Sequence, residues 1–140
     1  MSGRKRLNWP TTAITLAKTI AVARSEDPYV QVGAVAIKKD KSVILGYNGA
    51  PSGVNIDWSD RDSRRKRVIH AEANVLNYCK PGEVDYLAVT HMPCCECIKL
   101  IAQKGIKKVY YSDELPNYDN NLTRQLAQEF GIVLEVLKDK

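Results

Sequence analysis

Apolar residues recur along this chain at two spacings, and the switches between them lay out a run of elements. Over Trp9 to Arg24, the residues Ala13, Leu16, Ala17, Ile20 and Ala21 recur at helical spacing. Asn8 is a fair cap for that helix, Pro10 suits its first turn, and Ser25 to Pro28 closes it. Val32 to Ile37 and Ser42 to Tyr47 are rich in small and β-branched residues, with Lys38 to Lys41 joining them as a polar hairpin turn. A glycine-rich loop follows from Gly46 to Gly53, and polar residues continue to Arg67. That polar span is nearly free of apolar anchors and predicts a mobile loop. Beyond it the pattern predicts a helix from His70 to Cys79, stopped before Pro81-Gly82, and a strand from Val84 to Val89. A helix over Cys94 to Gln103 ends at Gly105, and Lys107 to Tyr111 is a strand. Asn121 to Phe130 is the last helix and Ile132 to Leu137 the last strand.

The order is α-β-β-α-β-α-β-α-β. From the third strand on, strands alternate with helices, which calls for parallel pairing within a three-layer α/β/α sandwich. The opening hairpin makes the five-stranded sheet mixed. The 140 residues suit one domain spanning 1–140. The longest apolar runs, such as Val43 to Leu45, are too short for a membrane span, and no secretory signal is legible before Pro10. A cytoplasmic location is therefore expected, where cysteines persist as thiols or metal ligands.

The net charge of +5 favours anionic partners. Much of the excess sits in Arg4-Lys5-Arg6 and in Arg64-Arg65-Lys66-Arg67, and the second run ends three positions before His70. Such runs are most often solvated faces.

Three of the four cysteines lie within Pro93-Cys94-Cys95-Glu96-Cys97. Cys94 and Cys97 are one helical turn apart and share a side, whereas Cys95 points off it. With His70 at the start of the preceding helix they form a soft-to-borderline donor set that suits Zn²⁺. Helix N-termini favour thiolates there. Cys79 is excluded as a fourth ligand, because nine helical positions separate it from His70 by roughly 13 Å. Three protein ligands leave the fourth position open, the form of a catalytic zinc site, with one zinc per chain. Glu72, two residues beyond His70, is placed to act as the acid–base group.

These residues resemble the zinc-dependent cytidine and deoxycytidylate deaminase superfamily, whose signature is H-x-E followed by P-C-x-x-C. Within it the chain is similar to deoxycytidylate (dCMP) deaminases. The similarity lies in Arg24-Ser25-Glu26-Asp27-Pro28, Gln31-Val32-Gly33-Ala34, the Gly46 to Gly53 loop, His70 to Asn74 and Thr90 to Pro93. The resemblance implies hydrolytic deamination of dCMP to dUMP and ammonia, the product serving thymidylate synthesis. It implies His70, Cys94 and Cys97 as zinc ligands, with Glu72 as proton carrier. Backbone groups near Ala71, Thr90 and Pro93 are implied for the pyrimidine edge, and Asn48 for the deoxyribose. Tyr111 is the candidate to pack against the base. Allosteric control is implied too, with dCTP as activator, often with Mg²⁺, and dTTP as inhibitor, near Arg24, Gly46, Tyr47, Asn48 and Gly49. Regulated members assemble as hexamers. Where many members carry a tyrosine and a basic residue to clamp substrate, this chain has Leu115-Pro116, so Tyr118, Arg24 or the Arg64 to Arg67 run is left to hold the 5′-phosphate. The rival reading is a polynucleotide deaminase acting on tRNA or single-stranded DNA, suggested by the positive charge beside the site; nucleic acid is the less expected partner.

Overall fold

A computed structural model describes residues 3 to 138. The described elements run α1 (Trp9–Arg24), β1 (Gly33–Lys38), β2 (Val43–Tyr47), α2 (Arg61–Arg67), α3 (Ala71–Leu76), β3 (Val84–His91), α4 (Cys95–Gln103), β4 (Lys108–Asp113), α5 (Asn120–Phe130) and β5 (Val133–Val136). They match the elements predicted from the residue pattern to within a few positions, with one addition, α2. Its seven residues include no apolar one, so no periodicity reveals it. It forms because Asp60 caps its first turn, accepting a hydrogen bond from Asp62 N at 3.1 Å. The span before it is also better anchored than its composition suggests, since Ile56 is buried and the Trp58 carbonyl accepts from Arg64 at 2.9 Å.

The sheet has the order β2-β1-β3-β4-β5. β1 is antiparallel to both β2 and β3, while β3, β4 and β5 are parallel. Alternation along the strands feeds two layers. Val35 and Ile37 of β1, with Tyr86 and Ala88 of β3, pack on Ala13, Ile14 and Ala17 of α1. Ala34 and Ala36, with Leu87 and Val89, pack on the other face with Val75 of α3, Ile98 and Ile101 of α4, and Ala127 of α5. Helices thus cover both faces, and α3 and α4 begin beside one another on the same one. Among the described residues no helix is long and apolar enough to cross a membrane.

Candidate metal centre and cavity

His70 and Cys94 are the N-cap residues of α3 and α4. A cap side chain usually accepts a hydrogen bond from the first turn, but neither does so here. Both are therefore available to something else. Cys97 occupies the third position of α4, which a helix brings alongside its cap residue, just as a capping box pairs those two positions. His70 Nδ1 lies 3.2 Å from Cys97 Sγ and 3.4 Å from Cys94 Sγ. All three donor atoms fall within 4.8 Å of one another. Zinc bonds of about 2.0–2.1 Å to nitrogen and about 2.3 Å to sulfur set nitrogen–sulfur edges near 3.6 Å in a tetrahedron, so the donor set fits the ion in chemistry and in span. The two sulfurs differ in their hold on a proton. Hydrogen bonding from Cys97, then from His70, lowers the Cys94 thiol to about 4, while the same bond raises Cys97. Binding of a metal by both sulfurs would release that proton. Cys79 stands apart, as expected, with its sulfur donating to the Val75 carbonyl.

Glu72 is 4% exposed, in the first turn of α3. Burial is the largest influence on its carboxyl and pushes it up to about 7, against the opposing pull of His70. An acid held near neutrality beside a metal site is suited to accept and return a proton.

His70, Glu72 and Cys94 line a cavity of about 730 Å³. Asn48, Ala71 and Tyr118 line it, together with Arg61, Arg64 and Arg65 of α2. The β4–α5 loop over its mouth is tied down by Asn120, whose side chain accepts from Leu115 N at 2.9 Å and donates to the Leu115 and Tyr118 carbonyls at 3.0 Å each. Tyr118 in turn accepts from Cys95 N at 2.7 Å through its hydroxyl.

Not every residue singled out from the sequence comes to the cavity. Thr90 lies on the α1-facing parity of β3, and its hydroxyl accepts from Gly33 N at 3.1 Å. The Pro93 carbonyl is engaged by the Thr123 hydroxyl at 2.8 Å. Tyr111 shares its face of β4 with Val109 and engages Arg124 of α5, outside the cavity lining. Tyr111 is therefore not among the residues that line the cavity. Arg24 is exposed in the last turn of α1 and lies outside the lining as well.

Asn48 lines the cavity, yet most of its side chain is spent on the chain itself. Its Oδ1 accepts from Ser25 Oγ and, at 3.0 Å, from Val32 N, while Nδ2 donates to the Val30 carbonyl at 2.9 Å. The glycine-rich loop has internal partners too. Gly49 N donates to the Ile69 carbonyl at 3.1 Å and Ala50 N to Glu26 at 3.2 Å. The Asn74 side chain donates to the Tyr47 carbonyl. Gly46 is required by packing: a Cβ there would sit 2.9 Å from the Ala71 carbonyl oxygen.

Thr123 is the positioning residue that the sequence pattern does not indicate. It is fully buried on α5 and holds the peptide just before Cys94. Replacing it with valine leaves the Pro93 carbonyl without its partner. The expected cost is about 1–2 kcal/mol, read by urea unfolding of the Thr123→Val variant; unchanged stability would show that the bond contributes nothing.

A mixed five-stranded sheet carrying a histidine and two cysteines on neighbouring helix starts, with an acid beside them, defines a zinc-binding deaminase domain. The profile of the cytidine and deoxycytidylate deaminase zinc-binding region matches residues 7–113, and the chain belongs to that family. It is 36% identical to the deoxycytidylate deaminase of Mycobacterium phage D29 over 126 residues, covering 78% of this chain and 98% of the phage protein. It is 33% identical to human deoxycytidylate deaminase over 132 residues, covering 86% of this chain and 74% of the human one. The structure of dCMP deaminase from the cyanophage S-TIM5, in complex with dCMP and dUMP, superposes with a TM-score of 0.75 at 31% identity, covering 91% of this chain and 95% of the phage chain.

Proposed function

We propose that the chain catalyses the hydrolytic deamination of dCMP to dUMP and ammonia. The observation that carries this reading is a buried carboxyl, Glu72, beside the His70–Cys94–Cys97 donor set at one end of a cavity sized for a nucleotide. Its relatives in phage and human are deoxycytidylate deaminases, and the phage fold neighbour is one in complex with dCMP and dUMP.

His70, Cys94 and Cys97 would hold one Zn²⁺, which when bound would supply the Lewis acidity that brings ionisation of water toward neutral pH. The other tasks fall to the chain. Glu72 accepts a proton from the attacking water and delivers it to N3 of cytosine as the oxygen adds at C4. It then returns a proton to the exocyclic amine, so that the C4–N bond breaks and ammonia leaves. Water thus supplies the oxygen of the new C4 carbonyl, and two of its protons account for those gained at N3 and by the leaving amine. Burial of Glu72 keeps bulk water from competing for that proton. Ala71, at the first position of α3, presents backbone to the pyrimidine edge. Asn48 retains one uncommitted N–H for the sugar while holding the 25–32 segment in place.

The same reading carries control by dCTP, with Mg²⁺, and by dTTP, within a hexamer in the cytoplasm that feeds thymidylate synthesis. The glycine-rich loop supports it, because Gly49 pairs in a β-bridge with Ile69, immediately before His70. An effector that moved this loop would move the zinc ligand.

Comparing dCMP, single-stranded DNA and tRNA as sources of released ammonia tests the substrate. Turnover of dCMP with no turnover of either polymer is expected. Turnover of a polymer alone would replace this reading with the polynucleotide one.

A further inference from the structure

The wall of the cavity formed by α2 has a composition that the deamination chemistry does not use. Arg61, Arg64 and Arg65 all line it, while Lys66 and Arg67 of the same helix do not. Arg67 is turned back onto the Ser63 hydroxyl at 3.2 Å and outside the lining. Three guanidinium groups in one wall repel one another unless counter-charges are near. Among the described residues, the carboxylates that share the cavity make no ion pair with these arginines. Asp27 accepts from Tyr29 N and Val30 N at 2.8 and 3.2 Å, and Glu96 pairs with Lys99 at 2.9 Å. Glu72 is enclosed at the metal end. Among the described residues, the side chains of Arg61 and Arg65 make no ion pair or hydrogen bond, and Asp62 on the same helix makes no ion pair with either. Arg64 is held in place. Its guanidinium lies 4.2 Å from the Tyr29 ring centroid and donates to the Trp58 carbonyl at 2.9 Å. It is a fixed cation flanked by two uncompensated ones. The other loop that lines the cavity, Leu115, Pro116, Asn117 and Tyr118, offers no cation.

We propose that Arg61, Arg64 and Arg65 form the subsite for the substrate's terminal phosphate monoester, and so set the preference for a nucleotide over a nucleoside. This rests on the reading of the substrate as a cytosine nucleotide. The position suits it: base at the metal end, phosphate against α2, sugar between them near Asn48. Guanidinium groups match phosphate oxygens in geometry and charge, and a prearranged one loses little freedom on binding. The ring of Tyr29 and the Trp58 carbonyl supply that arrangement for Arg64. No contact between this wall and the reacting C4 is implied, so the wall contributes to binding and not to chemistry.

Steady-state kinetics of three variants test it. Arg64→Gln and the double variant Arg61→Gln/Arg65→Gln are each expected to raise KM for dCMP by about 10- to 100-fold, with kcat altered by less than about threefold. The double variant changes only exposed side chains, so its folding is not in question. Lys66→Gln removes the same charge from the same helix outside the cavity, and is expected to leave KM unchanged. Any turnover of deoxycytidine, which has no phosphate, is expected to be equal in all four proteins. Wild-type protein that turns over dCMP while both arginine variants keep its KM overturns the inference alone. So does a parallel fall in kcat for dCMP and deoxycytidine, which would mark a structural role. Wild-type protein that ignores dCMP removes the reading of the substrate and the subsite with it.

Discussion

Replacement of Glu72 by glutamine is expected to lower kcat for dCMP by about 10²- to 10⁴-fold, the range associated with a positioned acid–base group. Bound zinc and thermal stability should stay at wild-type level. Glutamine has nearly the same shape and can occupy the same buried site, but it can neither take a proton from water nor return one. The outcome separates two roles that look alike in sequence, because acids are common in first helical turns simply for their effect on the helix dipole. In this chain the carboxyl is 4% exposed, and burial pushes it up to about 7, neither of which serves dipole stabilisation. Kinetics and metal analysis on one preparation decide the matter. A variant with zinc intact and undiminished turnover would remove Glu72 from the mechanism.

Cys97→Ser is expected to have an equally large effect by a different route. Serine keeps the size of the side chain but is a poor ligand for this ion, since soft thiolate is replaced by a neutral hydroxyl. Zinc content should fall from one per chain to below about a tenth at equal chelator challenge, and activity should fall with it. The variant is also expected to unfold at lower temperature, because the ion ties the start of α3 to the start of α4, two helices otherwise joined only through the sheet and their side-chain packing. Cys95→Ser is the matching control. Cys95 lines the cavity and is only partly buried, but its sulfur is not in the donor cluster, so zinc content should be unchanged. Loss of zinc in the Cys95 variant and not in the Cys97 variant would reassign the ligands.

Much of the site and the fold is legible in the order of residues alone. The ligand spacing is a property of helix geometry, so Cys94 and Cys97 pair from their separation, and His70 follows from its place at the preceding helix start. The parallel pairing of β3, β4 and β5 follows from the alternation of strand and helix. What escapes is whatever depends on contacts distant in sequence. α2 holds no apolar residue and is stabilised by its cap and by the Trp58 carbonyl, so periodicity is silent about it. Thr123 is an ordinary helix residue until α5 docks and its hydroxyl meets the Pro93 carbonyl. The engagement of Tyr111 with Arg124 likewise appears only once α5 docks beside β4. The basic run is visible as charge, but its division into three cavity-lining arginines and two outward residues needs the helix. Gly46 carries a packing constraint that also needs the fold, since its lack of a side chain admits the Ala71 carbonyl.

In the proposed mechanism one zinc ion, held by His70, Cys94 and Cys97, makes this cavity hydrolytic. Titration of zinc into chelator-treated protein, with ammonia release from dCMP and bound metal measured on the same samples, tests it most directly. Activity is expected to rise in proportion to bound zinc and to saturate at one ion per chain, with dUMP as product. Full turnover by protein stripped of metal, or no ammonia from dCMP at saturation, would contradict it.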